Sequence, residues 1–156
     1  MNIFALDNDP KTCAIYHTDK HVVKMIVESA QMLSTAVRVS GIDAGYKITH
    51  VNHPCSIWVR KSLSNYNWLK DLVSELHNEW KFRYNHPDDK IHKSFSIVTE
   101  LPTPNIDDIG LTNFALAMPD EFKVDDPIES YRNYYRGAKQ HLHHWKKRSV
   151  PNWIND

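Results

Sequence analysis

The central element of this chain is predicted by one stretch, Asp19-Lys20-His21-Val22-Val23-Lys24-Met25-Ile26-Val27-Glu28-Ser29-Ala30-Gln31-Met32-Leu33. No glycine or proline interrupts it, and Asp19 is a favourable N-cap while Gly41 is a favourable stop, so the stretch predicts a long helix. At 3.6 residues per turn, the polar residues of an otherwise apolar helix fall on one stripe: His21, Lys24, Glu28 and Gln31.

This polar stripe has two interpretations. Burying an imidazole, an amine, a carboxylate and an amide costs free energy unless these groups are paired or face a wet cleft. In the simpler interpretation the helix is half buried and the stripe faces solvent. In the other, the stripe lines an active site in which Glu28 serves as acid, base or charge stabiliser. Helical spacing alone does not separate the two.

Length and composition predict one globular domain. The chain has 156 residues, of which 41% are hydrophobic and only four are glycine, which argues against a turn-rich β architecture. No apolar run approaches the roughly 18 residues of a membrane span. The two cysteines suggest no disulfide framework, so we expect a cytoplasmic protein. Lys+Arg and Asp+Glu both number 19, so any anionic partner must meet a local patch of positive charge.

Turn signals separate stretches of helical periodicity, and no stretch alternates convincingly like a strand. The sequence therefore predicts an all-α fold, a single compact helical domain preceded by a short extended arm over residues 1–6. The predicted helices are a short one from Pro10 through Tyr16, one from Asp19 to about Ser40, one opening at Asn52-His53-Pro54, and others over 65–84, 90–100 and 112–118, with a final long one from Asp126-Pro127 to about Arg148.

Charge changes sign near the C-terminus. Residues 100–129 contain eight acids and one base, whereas residues 131–153 contain six bases, no acid and several aromatic residues. Positively charged side chains that bind phosphates, together with aromatic rings that stack on nucleobases, are typical of a protein surface that binds nucleic acid. The candidate contacts are Arg132, Tyr135, Arg136 and Lys139. The alternative is that these cations serve the helix dipole and the acidic segment before them.

Metal and cofactor sites are not predicted. His17 and His21 stand four apart, but a helix begins between them, which spoils the spacing that two ligands on one helix face would need. His50, His53 and Cys55 lack a second pair of ligands, and helix initiation explains His53 more simply. The chain has no phosphate-binding or dinucleotide-binding glycine motif, and Cys13 and Cys55 read as core thiols.

The segment Asp19-Lys20-His21-Val22-Val23, with Glu28 seven residues after the histidine, resembles the catalytic helix of the phage pyrimidine-dimer DNA glycosylases of the endonuclease V type. The Asn2-Ile3-Phe4 start, Asn52-His53-Pro54-Cys55 and the aromatic-basic end at residues 145–153 are similar to a divergent phage and cyanophage group of that family. The resemblance implies one endonuclease V-like helical domain over residues 1–156, with DNA as its partner.

The resemblance also implies a mechanism. In that family the α-amino group of the chain attacks C1′ of the damaged nucleotide and forms an imine, while a glutamate assists base loss and strand cleavage. An uncharged α-amine is a competent nucleophile near neutral pH, since such groups titrate near ~7.7–8.0. When these family roles are transferred to the matching positions, Glu28 is the catalytic carboxylate and His21 is an orienting or DNA-contacting group.

Two departures from the family pattern bear on the nucleophile and the contacts. Asn2 replaces the family's small second residue, so the nucleophile becomes the amine of Met1 or the side chain of a lysine. Val27 and Gln31 replace two arginines. The resulting catalytic candidates are Glu28, His21, Lys24 and Met1, and the substrate-binding candidates on the N-terminal side are Asn2, Lys20 and Gln31.

Three functions remain open from the sequence. The first is a DNA N-glycosylase with associated strand cleavage, acting on a flipped or kinked lesion. The second is a non-catalytic module that holds a nucleotide in the same pocket, for example a phage protein that sequesters host nucleotide signals. The third is an enzyme of phage base modification. Borohydride trapping separates the first from the others, because only an imine gives a covalent adduct.

Overall fold

Helices make up all of the regular secondary structure in the computed structural model, which describes residues 1–156. The all-α prediction is confirmed. None of the helices combines the length and apolar character that a membrane span requires. The helices are α1 (Pro10–Tyr16), α2 (Asp19–Val39), α3 (Pro54–Lys61), α4 (Leu63–Arg83), α5 (Lys93–Glu100) and α6 (Pro127–Ala138), with short 3-10 turns at Asp120–Phe122 and Gln140–Leu142.

The core lies around α2, which packs most extensively against α4 and also contacts α3 and α5. Ile26 and Leu33 of α2 are fully buried, as are Leu69 and Leu76 of α4. Burial of each such side chain contributes about 1.5–3 kcal/mol, so the α2–α4 pair is the main source of hydrophobic stabilisation. This packing fixes which stripe of α2 remains accessible.

The N-terminal arm is extended and buried, as predicted. Phe4 is 3% exposed and Leu6 is completely buried. Nε of Arg132 donates to the Leu6 carbonyl at 2.9 Å, and the Leu6 amide donates to Sγ of Cys13 at 3.4 Å. These contacts fasten the arm between α1 and α6, and they bring Met1 to the side of α2.

The start of α2 lies close to its predicted position, but the capping residue differs. Thr18, rather than Asp19, is the N-cap, and its hydroxyl accepts from the His21 amide at 3.4 Å. Asp19 instead accepts from Nη1 of Arg83 at 3.1 Å and from the Lys146 amide at 2.9 Å. The predicted stop is correct, since Gly41 follows the helix with a φ of +100°, a conformation that favours glycine.

The predicted helix over residues 112–118 is wrong. The backbone groups of this segment are bound by side chains from other elements and are not available for helical bonds. The Thr112 amide donates to Oδ1 of Asn65 at 3.0 Å, Nε1 of Trp58 donates to the Thr112 carbonyl at 3.3 Å, and the Ala117 amide donates to the Tyr131 hydroxyl at 3.3 Å.

The predicted long C-terminal helix is also wrong in its length, because α6 ends at Ala138 rather than near Arg148. Gly137 near its end disfavours further helix. Beyond it the chain turns back onto α1 and α2: Nε1 of Trp145 donates to the Tyr16 carbonyl at 2.8 Å, and the Asp19 amide donates to the His144 carbonyl at 2.9 Å. These long-range bonds replace the helical ones.

Candidate active site

A small cleft of about 160 Å³ lies where the N-terminal arm crosses α2. Spacings of three and four residues along α2 bring one polar stripe to this cleft, while the arm and α6 supply its other walls. The lining residues are Met1, Asn2, Phe4, His21, Lys24, Met25, Glu28, Tyr134 and Lys139. Three residues of the predicted stripe therefore share one cleft with the start of the chain.

Glu28 lies between two amines. Its Oε1 is 3.0 Å from the α-amino nitrogen of Met1, and its Oε2 is 3.7 Å from Nζ of Lys24. The side chain of Glu28 is 11% exposed, whereas that of Lys24 is 69% exposed. Oε2 is buried and has no hydrogen-bond partner. One carboxylate oxygen thus contacts the α-amine, and the other is paired with Lys24 at a distance beyond that of a hydrogen bond.

His21 is held by α6. Its Nδ1 lies 2.6 Å from the hydroxyl group of Tyr135, which also accepts from the Thr18 amide at 3.3 Å. With the phenol as donor to Nδ1, the hydrogen of the neutral ring lies on Nε2. The ring of Phe4 stacks on the imidazole with centroids 4.3 Å apart.

His21 is a neutral donor near neutral pH. Burial lowers its pKa to about 3, with a smaller contribution from the charges of His17, Lys139 and Lys24. His17, directly behind it, is fully buried, and burial lowers its pKa to about 4. This ring is therefore also neutral near neutral pH, and its Nδ1 donates to the Cys13 carbonyl at 2.7 Å.

An aromatic and cationic wall completes the cleft. The rings of Phe4 and Tyr134 lie 6.1 Å apart and nearly parallel. Nζ of Lys139 is 4.9 Å from the centroid of Tyr134 and 5.8 Å from that of Phe4, within cation–π distance. Sequence reasoning missed Phe4 and Tyr134. The available signal for Tyr134 was its place in the aromatic-basic run, but periodicity could not show which tyrosine faces the cleft.

The other predicted substrate contacts are placed differently. Lys20 is exposed at the start of α2, and Gln31 is half buried one turn beyond Glu28, outside the cleft lining. Tyr135 is completely buried behind His21. Asn2 lines the cleft, yet its side-chain amide is bonded inside the protein, with Nδ2 donating to the Ala117 carbonyl at 2.9 Å.

The two predicted arginines of α6 are engaged within the protein. Arg132 is bonded to the arm through the Leu6 carbonyl and pairs with Asp7 at 3.3 Å. Arg136 pairs with Glu129 and donates to the Trp153 carbonyl at 2.9 Å. Of the three basic candidates of the C-terminal region, Lys139 is the one at the cleft.

His53 opens α3, as the sequence favoured. Its Nδ1 accepts from the Cys55 amide at 3.1 Å, which is an N-cap interaction. No group of three or more His, Cys, Asp or Glu residues is placed to hold a metal ion. Cys13 and Cys55 are both free and buried, and burial raises the pKa of Cys55 to about 11, which disfavours a thiolate.

The cleft thus combines an amine, a carboxylate and a neutral imidazole. The family model described as pyrimidine dimer DNA glycosylase matches residues 1–92, a range that includes the arm and helices α1 to α4. The chain belongs to this family, which confirms the family resemblance of the α2 sequence. Neither a curated protein nor a solved structure matches the chain. Tyr134, Tyr135 and Lys139 lie outside the matched range, so their places in the site come from the structure alone.

Proposed function

We propose that the chain is a DNA N-glycosylase with associated AP lyase activity on damaged or modified pyrimidines, and that the α-amine of Met1 is its nucleophile. The observation that supports this most directly is the 3.0 Å distance between that amine and Oε1 of Glu28. Membership of the pyrimidine dimer DNA glycosylase family supports DNA as the substrate. Nζ of Lys24 also lies near Glu28, 3.7 Å from Oε2. It is a weaker candidate for the nucleophile, because the Lys24 side chain is 69% exposed.

In the first stage Glu28 takes a proton from the amine, whose lone pair then attacks C1′ of the nucleotide. The bond between C1′ and the base breaks, and the base leaves with the bonding pair and takes a proton from the newly bonded nitrogen, which regains its lone pair. The C1′–O4′ bond then opens as Glu28 returns its proton to O4′, which leaves a protonated imine between C1′ and the Met1 nitrogen. The Glu28 carboxylate stabilises this cation.

In the second stage the imine acidifies the protons at C2′. Oε2 of Glu28, which accepts no hydrogen bond and lies 3.7 Å from Nζ of Lys24, is the proposed base that removes one of them. The released pair forms a C2′–C3′ double bond, and the bond from C3′ to its phosphate oxygen breaks with the pair remaining on the phosphate. Water then hydrolyses the imine and restores the amine.

The size of the cleft indicates which part of the nucleotide enters it. A cleft of about 160 Å³ has the volume of about five water molecules, below the ~300–1,000 Å³ of pockets for whole drug-sized ligands. We propose that it takes the deoxyribose ring, with the base outside, near Tyr134 and Lys139. The Nε2–H group of His21 is then a donor for a sugar oxygen.

Borohydride trapping tests this proposal. We expect a covalent adduct with a duplex that carries one abasic site. With a duplex that carries a pyrimidine dimer, we expect the same adduct to form more slowly. Peptide mapping by mass spectrometry should place the adduct on Met1. An adduct on Lys20 or Lys24 would overturn the assigned nucleophile. Nucleotide binding without any adduct would favour the non-catalytic alternative.

A further inference from the structure

We infer that Asn2 is a positioning residue: its side-chain amide fixes the arm so that the amine of Met1 meets Glu28. The inference rests on the proposed function, because it assigns a role to Asn2 in presenting the proposed nucleophile. Asn2 directly follows Met1, so a displacement of its backbone moves the Met1 nitrogen.

The amide of Asn2 is bonded on both sides. Nδ2 donates to the Ala117 carbonyl at 2.9 Å. Oδ1 accepts from the Ile3 amide at 2.7 Å, lies 3.3 Å from the Tyr131 hydroxyl group, and lies 3.5 Å from Sγ of Cys55. These partners belong to the arm itself, to the segment before α6, to α6 and to α3. One short side chain therefore joins the start of the chain to three other parts of the fold.

This arrangement argues against a direct contact between Asn2 and the substrate. Both polar atoms of the amide already have partners within the protein, so a nucleotide would have to displace them. The hydroxyl group of Tyr131 donates to the Ala115 carbonyl and accepts from the Ala117 amide, so it is bonded to the same segment that holds Nδ2 of Asn2. The side chain of Met1 is only 3% exposed, so burial and the Asn2 amide together restrain the amine at Glu28.

The test is Asn2→Leu, which keeps the approximate shape of the side chain and removes all of its hydrogen bonds. Leucine is also a large second residue, so Met1 should be retained, as intact mass will verify. We expect single-turnover cleavage of an abasic-site duplex to fall by about 10²-fold, the cost of a misplaced reacting group. The dissociation constant for the duplex should change by less than about twofold, since no DNA contact is removed.

A second readout follows the amine itself. Reductive methylation under native conditions, analysed by peptide mass spectrometry, compares Met1 with lysine side chains as internal references. We expect the Met1 amine to be modified several-fold faster in Asn2→Leu than in the parent protein. The matched control is Asn78→Leu, since Asn78 is an exposed residue of α4 and has no role in the cleft. It should match the parent in both assays.

Unchanged cleavage and unchanged methylation in Asn2→Leu would overturn the inference, as would a loss of cleavage explained by weaker DNA binding. If the parent protein itself forms no imine adduct, the proposed function fails, but the methylation assay still decides whether Asn2 places the amine. Should Asn2→Leu fail to fold, Tyr131→Phe removes the hydroxyl group that lies 3.3 Å from Oδ1 and that bonds Ala115 and Ala117, the segment that holds Nδ2. It should give faster methylation too, and an unchanged rate would contradict the inference.

Discussion

The hydroxyl group of Tyr135 lies 2.6 Å from Nδ1 of His21, although 114 residues separate them in the sequence. This bond joins α6 to α2 and orients the imidazole that faces the cleft, and with the phenol as its donor the ring hydrogen lies on Nε2. The carbonyl of Tyr135 lies 2.9 Å from Nε2 of His143, so the C-terminal tail is connected to the same tyrosine. The orientation of His21 therefore depends on parts of the chain that lie outside its own helix.

Tyr135→Phe removes the proton donor of His21 and the acceptor of the Thr18 amide. We expect a loss of about 1–3 kcal/mol in the free energy of unfolding, because two buried groups lose their partner. Single-turnover cleavage should fall by about tenfold, which corresponds to about 1.4 kcal/mol of barrier. Tyr46→Phe is the control, since its hydroxyl group binds Ser94 at 2.9 Å, away from the cleft. A full cleavage rate in Tyr135→Phe would show that the tautomer is unimportant.

Glu28→Gln should separate catalysis from binding. The change keeps the volume of the side chain and removes its charge, so the fold should survive while the imine cation loses its stabilisation. Single-turnover nicking of a duplex with one cyclobutane dimer should slow by about 10²–10³-fold. Asp120→Asn, at a carboxylate whose side chain is 96% exposed, should leave the rate unchanged. Equal non-zero rates for Glu28→Gln and the parent would remove Glu28 from the chemistry.

The buried histidines predict how stability depends on pH. Burial lowers the pKa of His17 and of His77 to about 4 and that of His21 to about 3, whereas an unfolded histidine titrates near ~6.5. Between these values the unfolded chain binds at least three protons that the native protein does not. The free energy of unfolding should therefore fall as pH is lowered from about 6.5 to 4, by up to about 4 kcal/mol per pH unit.

Urea denaturation between pH 7 and pH 4.5 measures this slope. His21→Gln should reduce it by up to about a third, because one of the three histidines with strongly lowered pKa values is gone. His50→Asn, at an exposed position with a φ of +49° that asparagine tolerates, should leave the slope unaltered. Constant stability from pH 7 to pH 5 would mean that His17 and His21 are not buried in the neutral form.

Lys139→Ala should weaken DNA binding with a reduced dependence on salt. Loss of one phosphate contact lowers the slope of log affinity against log salt by about one. The exposed Lys70 of α4 provides the control, and Lys70→Ala should retain the parental slope. Arg136→Ala is expected to act differently, mainly on stability, since it removes a partner of Glu129 and of the Trp153 carbonyl. An unchanged slope in Lys139→Ala would exclude this lysine from the DNA contact.

Local signals in the sequence predicted much of the fold. The side chains of Asp9, His53 and Asp126 each accept from a backbone amide at a helix start, as their positions before Pro10, Pro54 and Pro127 indicated. The stripe of His21, Lys24 and Glu28 depends only on helical periodicity, and the structure places all three at the cleft. Such features follow from interactions over a few residues, which a sequence displays directly.

Features that depend on distant contacts could not be predicted in this way. The segment 112–118 is shaped by Asn65 and Trp58, and the tail after Ala138 by the Tyr16 carbonyl and Asp19. A count of positive charges could not show that two arginines of α6 are bonded within the protein. Nor could periodicity bring Phe4 of the arm against His21, because that contact needs the folded α1, α2 and α6 together.

Because the Met1 nitrogen lies against Glu28, the proposed chemistry requires that this nitrogen be a free amine. A formyl group retained from initiation, an acetyl group, or the peptide bond of an appended tag would each convert this amine into an amide. An amide has neither the charge that pairs with Glu28 nor a lone pair available for attack, so under the proposed mechanism each modification would abolish imine formation. Tags belong after Asp156, where the last two residues are exposed.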